Sequence, residues 1–337
     1  MTMLCIWNTT VDPAFNLALE EYCLTRRSED FFLLWRNRPA IIVGKNQNAR
    51  AEIDTAYVKE MDIPVIRRLS GGGAVFHDLG NVNFTCITTQ TGAKRIDLHR
   101  FAEPVLLALQ NLGVPAAFDG RNDIAVNGAK ISGNAQYVHH NRVLHHGTLL
   151  FSADTSALSQ ALRPDPLKLA TKAVASVKKR VVNIADFLPQ SMDVESFIQT
   201  LLDHVGVHFP DSEPGQLGEA DIAAISALRD AKYATWEWNF GAAPRYTQRY
   251  ALRTQAGGTV EAAVDVRRGY IRQVRIWGDY FGVRSIDAVE QRLQGTALNR
   301  EALQAAVDAV GLQEYLWNVR CEELLAVLLG EPPAQPR

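Results

Sequence analysis

Apolar positions recur along this chain with two different periods, and the switches between them mark out the elements. The chain opens with a strand-like segment, and Asp12-Pro13 then starts a helix, because aspartate accepts from free N–H groups at an N-cap and proline's fixed φ suits the first helical position. Phe15, Ala18, Leu19, Tyr22 and Cys23 follow at helical spacing and predict the face turned to the core. Short β-forming runs come next at 31–36, 40–43, 65–67 and 82–88, and a further helix is predicted over about 99–112. Segments 123–126 and 130–138 flank Asn127-Gly128, a dipeptide that accepts the left-handed backbone of a tight hairpin, and 143–151 supplies another strand. From there to about Trp238 the pattern is mostly helical. Near residue 245 it changes. Segments 246–254, 260–266 and 270–276 read as three strands parted by Gly257-Gly258 and Arg268-Gly269; helices follow, one capped by Asn299 and one ending near Leu329. The expectation is an α/β (α+β) fold: a domain over 1–244 on a mixed, mainly antiparallel sheet, and a small αβ domain over 251–337.

Composition narrows the function classes. With 337 residues, both units can bury a core. A 47% hydrophobic, 21% charged chain of net charge −2 is that of a soluble globular protein without overall attraction to nucleic acid or anionic membrane. No apolar run approaches the roughly 20 residues of a membrane span, and Met1–Thr10 lacks the basic-then-apolar order of a secretion signal. Cys5, Cys23, Cys86 and Cys321 are scattered with no CxxC pair, which fits a reduced, cytoplasmic compartment. Residues 331–337 are proline-rich and expected to fray.

The chemistry-bearing stretch is Arg67-Arg68-Leu69-Ser70-Gly71-Gly72-Gly73-Ala74-Val75-Phe76-His77-Asp78. Three glycines after a strand let a backbone approach a ligand closely, and an arginine pair suits phosphate or carboxylate oxygens; a glycine-rich turn with solvated arginines is the plainer alternative. Neither GxxxxGK[ST] nor GxGxxG is present. Asp123 and Lys130 face each other across the hairpin. They are either a structural ion pair or a Mg²⁺ ligand beside a cation that stabilises charge on a reacting carboxylate and phosphate. His139, His140, His145 and His146 cluster in sequence, but adjacent residues on a strand point to opposite faces and no cysteine lies nearby, which argues against structural zinc. One of His145 and His146 is expected in a core or a pocket.

Taken together, RRLSGGGAVFHDLGNVNF (67–84), GRNDI (120–124), KISGNA (130–135), HHGTLL (145–150), SVKKRVVN (176–183) and WEWNFG (236–241) resemble the lipoate–protein ligase A family in order and spacing, over nearly the whole chain. The resemblance implies a fold shared with biotin ligases and octanoyltransferases. It implies ATP-dependent ligation of free lipoic acid, through lipoyl-AMP and with Mg²⁺, to a lysine of a carrier: the lipoyl domains of E2 subunits of 2-oxoacid dehydrogenases, or the glycine-cleavage H protein. It places Arg68, Gly73, Ala74, Val75, Phe76 and Lys130 at ATP, Asp123 at the metal, and Trp35, Ser70, Gly71, Gly72, His77 and Lys130 at lipoate, with Lys130 catalytic. Residues 176–183 would close over the adenylate, where Lys179 replaces the family's usual small residue. Trp35 reads equally as pocket lining or as core. The rivals are an octanoyl or lipoyl amidotransferase of the same fold, whose cysteine nucleophile Cys86 alone would supply, and a non-catalytic lipoate-binding module.

Overall fold

Asp12 caps the first helix as its position predicts. Its Oδ1 accepts from the Ala14 N–H at 3.0 Å, Pro13 takes the first turn, and the helix runs Pro13–Arg26. The structure, a computed structural model, describes residues 3–47, 49–90, 97–120, 122–162, 181–209, 211–240, 248–267 and 269–330. The expectations for 331–337 and for Lys179 therefore lie outside the described residues.

The strands are β1 (Met3–Asn8), β2 (Asp30–Arg36), β3 (Ala40–Val43), β4 (Val65–Arg67), β5 (Val75–His77), β6 (Asn81–Thr89), β7 (Ala116–Asp119), β8 (Asp123–Val126), β9 (Ala129–His139), β10 (Arg142–Leu150), β11 (Ser212–Pro214), β12 (Gln248–Arg253), β13 (Thr259–Arg267) and β14 (Tyr270–Gly278). Eight of them form one sheet in the order β11-β1-β2-β6-β10-β9-β8-β7. β1 is parallel to both its neighbours, and every other pairing in that sheet is antiparallel. The hairpin between β8 and β9 turns at Asn127 and Gly128, whose φ values are 51° and 76°.

Strand alternation sends the side chains of this sheet into two cores. Phe32, Leu34, Phe84, Cys86 and Leu149 pack beneath the helices Leu98–Asn111 and Val194–His208. Leu33, Trp35, Ile87 and Leu144 face the other way, against the helix Pro13–Arg26. On that second face the shorter sheet β4-β3-β5 carries the glycine run as the link between β4 and β5. Three short strands escaped the sequence pattern: β5, β7 and β11. β11 has no apolar run of its own and exists through its register with Met3–Cys5 of β1. The stretch predicted as helical also contains a π-helical turn, Arg229–Tyr233.

The C-terminal strands β12-β13-β14 form a separate antiparallel sheet, with the helices Asp287–Leu293, Arg300–Asp308 and Cys321–Leu329 burying a core that includes Val264, Ile276, Val289, Leu303 and Leu324. Asn299 caps the second of these helices, accepting from the Ala302 N–H at 2.9 Å. This unit meets the large sheet's side of the chain at the glycine run. Gly72 N donates to Tyr280 O at 3.4 Å, Gly278 N donates to Asn46 O at 2.7 Å, and Phe281 is buried between Leu98 and Ala135. Among the described residues no helix is long and apolar enough to cross a membrane.

Candidate active site

The site grows from one row of the large sheet. Trp35 of β2 pairs with Asn83 of β6, Asn83 with Thr148 of β10, and the Thr148 hydroxyl accepts from the Gly133 N–H of β9 at 3.1 Å. The next row on the same face brings Thr85, His146 and Ala135 together. The helix Pro13–Arg26 adds Leu17, β3 adds Ile42, and the glycine run closes a cavity of about 130 Å³. Of the residues singled out from sequence, Trp35, Arg68, Gly72, Gly73, Ala74, Val75, His77 and Lys130 line it. Sequence reasoning missed Leu17, Ile42, Asn83 and Thr148, which also line it. The polar alternation Asn81, Asn83, Thr85 against Val82, Phe84, Cys86 was the available signal for one of these positions, Asn83.

Lys130 stands at one end. Its Nζ is 2.9 Å from Asp123 Oδ1, with the lysine side chain 27% exposed and the aspartate 10%. The ammonium lies directly over Gly133, where a Cβ would come within 2.7 Å of it. Absence of a side chain at Gly133 therefore makes room for the cation.

Trp35 turns out to be both core and pocket lining. It is 2% exposed and packs in the core under the first helix, while one face borders the cavity. Its indole N–H donates to Thr85 Oγ1 at 3.0 Å, and Thr85 donates to Glu20 Oε1 at 2.6 Å. His146 Nδ1 donates to the same carboxylate at 2.9 Å, and its Nε2 is 2.6 Å from Ser70 Oγ. Arg68 Nε then donates to Ser70 at 3.0 Å. Ser70, His146 and Glu20 have the order of a nucleophilic triad, but Ser70 is fully buried and its oxygen already accepts from a guanidinium. The chain of hydrogen bonds braces the pocket wall. His145, one residue away, points to the opposite face between Phe84 and Phe101, and burial pushes its pKa down to about 3.

The arginine pair is not the solvated charge of the plainer sequence alternative, since both side chains are buried and hydrogen-bonded to the fold. Arg68 directs four of its five N–H bonds to Ser70 Oγ and to the carbonyls of Ile42, Gly71 and Gly73. Arg67 donates to the carbonyls of Gly44, Lys45, Gln47, Trp238 and Asn239. Burial pushes both guanidinium pKa values down to about 10. Both side chains chiefly hold loops in place.

The glycines divide their tasks too. A Cβ on Gly71 would lie 2.1 Å from the Tyr280 carbonyl, so this residue serves the close approach of the C-terminal unit and does not line the cavity. Gly72, at φ +92°, faces Arg68 and Phe281, and its carbonyl leaves no room for a Cβ on Gly44. Phe76 sends its ring into a separate core with Ile41 and Val65, leaving only its backbone for a ligand. Ser70 and Asp123 reach the cavity through His146 and Lys130.

Cys86 lies on the far face of the sheet from His146, and burial pushes its thiol up to about 12. A thiol held neutral away from the cavity is no nucleophile there. Among the described residues no three His, Cys, Asp or Glu side chains are grouped to hold a metal ion.

Residues 12–206 match the family model for the lipoyl protein ligase A/B catalytic domain, and residues 243–328 match that for the bacterial lipoate protein ligase C-terminus. The lipoate-protein ligase LplJ of Bacillus subtilis is 39% identical over 334 residues, covering 97% of this chain and 100% of that protein. Among solved structures, P. falciparum LipL1 in complex with lipoate has the same fold, with a TM-score of 0.79 at 24% identity over 98% of this chain and 100% of that one. A lipoate-protein ligase A bound with ATP matches 71% of this chain and 98% of its own, with a TM-score of 0.60 at 26% identity. On these matches, the chain belongs to the lipoate-protein ligase family.

Proposed function

We propose that this cavity activates lipoate with ATP and passes the lipoyl group to a lysine of a carrier protein. The observation that carries the reading is Lys130: one ammonium, steered by Asp123 and seated over Gly133, at one end of a cavity where Leu17, Trp35 and Ile42 supply apolar wall beside polar strand residues such as Asn83 and Thr148. A carboxylate oxygen attacks the α-phosphorus of ATP, the bond to pyrophosphate breaks, and a mixed anhydride with AMP forms. Two anions meet in that step, so a fixed cation lowers its barrier. The carrier's lysine amine then attacks the acyl carbon, AMP leaves, and the amine proton passes to solvent. Arg68 holds the carbonyls of Gly71 and Gly73, which fixes the backbone of Gly73–Phe76 against which ATP is proposed to bind. Trp35, Gly72 and His77 are proposed to enclose the acyl chain.

Asp123 suits Mg²⁺ that arrives on the nucleotide, since this hard cation is commonly held by one or two carboxylates together with phosphates. Bound there, Mg²⁺ would neutralise phosphate charge. The catalytic domain is proposed as 1–244 and the accessory domain as 251–337, supported by the independent core of the C-terminal sheet. The E2 lipoyl domains of 2-oxoacid dehydrogenases and the glycine-cleavage H protein are the proposed carriers. A cytoplasmic location is proposed, supported by four free cysteines. Incubation with lipoate, ATP·Mg²⁺ and each carrier, followed by intact mass measurement, tests the reading. A lipoyl mass increment on the carrier that needs ATP is expected; a carrier that gains lipoyl without ATP, or gains none, refutes it.

A further inference from the structure

Among the described residues that line the cavity, Thr148 alone carries a hydroxyl. The β9–β10 ladder ends at the pair Gly147–Asn134, and one position further the Gly133 N–H donates to the Thr148 side chain, to Oγ1 at 3.1 Å. That bond uses a lone pair of the hydroxyl and leaves its O–H free to donate. Thr148 makes no other hydrogen bond to the described residues. The neighbouring hydroxyls differ, because Ser70 is engaged with Arg68 and His146, and Thr85 with Trp35 and Glu20.

The glycine that meets this hydroxyl also lies beneath the ammonium of Lys130. Residues three apart on a regular strand point to opposite faces, which would turn Lys130 away from Gly133. A bulge in β9 changes that: Ser132 pairs with Ile124 and Lys130 with Ala125, so Ile131 is the extra residue. Bulges re-aim side chains, and Lys130 Nζ comes within 2.7 Å of where a Gly133 Cβ would lie. The backbone nitrogen and the Cβ position of one residue are about 2.5 Å apart, so Nζ and Oγ1 lie within roughly 8 Å of each other. A carboxylate hydrogen-bonded through both oxygens joins donors up to roughly 8 Å apart. The ammonium and the hydroxyl can therefore hold one carboxylate, an oxygen each.

The two donors differ in charge, and that difference assigns the oxygens. Two anions meet at the oxygen that attacks phosphorus, and the ammonium is the group that offsets their repulsion. The second oxygen falls to Thr148. It becomes the carbonyl oxygen of the mixed anhydride, and negative charge gathers on it when the carrier's amine adds to the acyl carbon. A fixed donor aimed at an atom where charge develops lowers the barrier of that step.

Resting on the function proposed above, we infer that Thr148 is a second catalytic residue, whose Oγ–H donates to the acyl oxygen and stabilises the negative charge that forms there during transfer. The bond from the amine nitrogen to the acyl carbon forms, the bond from that carbon to AMP breaks, and the amine proton passes to solvent. The hydroxyl keeps its own proton throughout. The test is single-turnover transfer from supplied lipoyl-AMP to an E2 lipoyl domain and to the H protein, read by intact mass, in wild type, Thr148→Val and Thr148→Ser. The rate constant at saturating adenylate, unlike the amplitude, is independent of how much protein is correctly folded. Thr148→Val should lower it about tenfold or more, while Thr148→Ser, which retains a hydroxyl, should keep most of it. Thr148→Ala, which also lacks the hydroxyl, takes the place of the valine variant if that one does not fold. The same substitution in a Lys130→Ala background should produce a comparable further fall. A rate constant close to wild type without the hydroxyl overturns the inference. So does a fall that vanishes in the Lys130→Ala background, since Thr148 would then serve only to hold Gly133 beneath the ammonium. Both results leave the proposed function standing. Wild type that passes lipoyl from lipoyl-AMP to neither carrier fails that function, and the inference with it.

Discussion

Replacing Lys130 with alanine tests the centre of the proposed chemistry, and the structure sets the size of two separate effects. The first is catalytic: losing a charge aimed at the reacting centre costs about 3–4 kcal/mol, or 10²–10³ in rate. The second is structural. Asp123 loses a cation at 2.9 Å while its own side chain remains only 10% exposed, which costs about 1–3 kcal/mol of stability. The two are separated by measuring pyrophosphate release alongside urea unfolding. Lys130→Arg keeps the charge but should not restore the rate, because a planar fork does not replace a compact ammonium. Gly133→Ala approaches the same point from below: its Cβ would meet Nζ at 2.7 Å and Cε at 3.0 Å, displacing the flexible end of Lys130. Its rate should fall at least tenfold with little change in stability. Lys130→Ala that unfolds normally and still releases pyrophosphate near the wild-type rate would refute the role given to this residue.

Further outcomes are expected elsewhere. Cys86→Ser should still lipoylate a carrier, because the thiol is buried on the far face with its pKa at about 12; loss of transfer in a folded variant would favour an amidotransferase. Trp35→Ala should lose about 3–5 kcal/mol of stability and also admit bulkier acids, since the indole is both core and cavity wall; unchanged acid selectivity would refute the second half. His77 and His145 both have pKa values near 3 in the fold, against 6.5 for a free ring. Between those limits the unfolded chain binds more protons, so stability is complete above about pH 7 and should fall by about 1.4 kcal/mol per pH unit for each ring as pH drops below 6.5. Equal urea midpoints at pH 7.5 and pH 5 would contradict this. A chain truncated after Pro244 should transfer lipoyl from supplied lipoyl-AMP but form that adenylate poorly; full ATP-dependent activity in it would remove the C-terminal unit from the activation step.

Much of the fold was legible because its longer elements carry their own signal. The bounds of β3, β4 and β8 follow directly from apolar runs, and Asn127-Gly128 adopts the left-handed turn that its residue types permit. β11 was not legible, since Ser212–Pro214 becomes a strand only by lying beside β1. In the site, Lys130 and Asp123 were placed correctly as neighbours across a hairpin. Glu20 was overlooked, although the sequence held a clue: it lies three residues after Leu17 and four before Leu24, an acid on an apolar stripe. Such a residue is either mispaired or held by buried donors, and here Thr85 and His146 hold it.

The arginines and glycines have a structural task that residue type alone does not show. Arg67-Arg68 before a glycine run reads as an anion site because both features suit phosphate. Sequence cannot show that the same donors are needed closer to home. Absent side chains at Gly44 and Gly71 let the Gly72 and Tyr280 carbonyls come to where a Cβ would lie, and loops packed this closely leave the neighbouring carbonyl oxygens buried. Those oxygens need donors. Arg68 supplies two of them to Gly71 and Gly73, and the two N–H groups of Arg67 Nη1 are shared among Gly44, Lys45 and Gln47. The glycines create the crowding and the arginines make it tenable. Because Gly71 also admits the Tyr280 carbonyl, the pocket wall and the C-terminal unit are joined through one backbone. A change at Gly71 should therefore disturb adenylate formation without touching any group that contacts the acid.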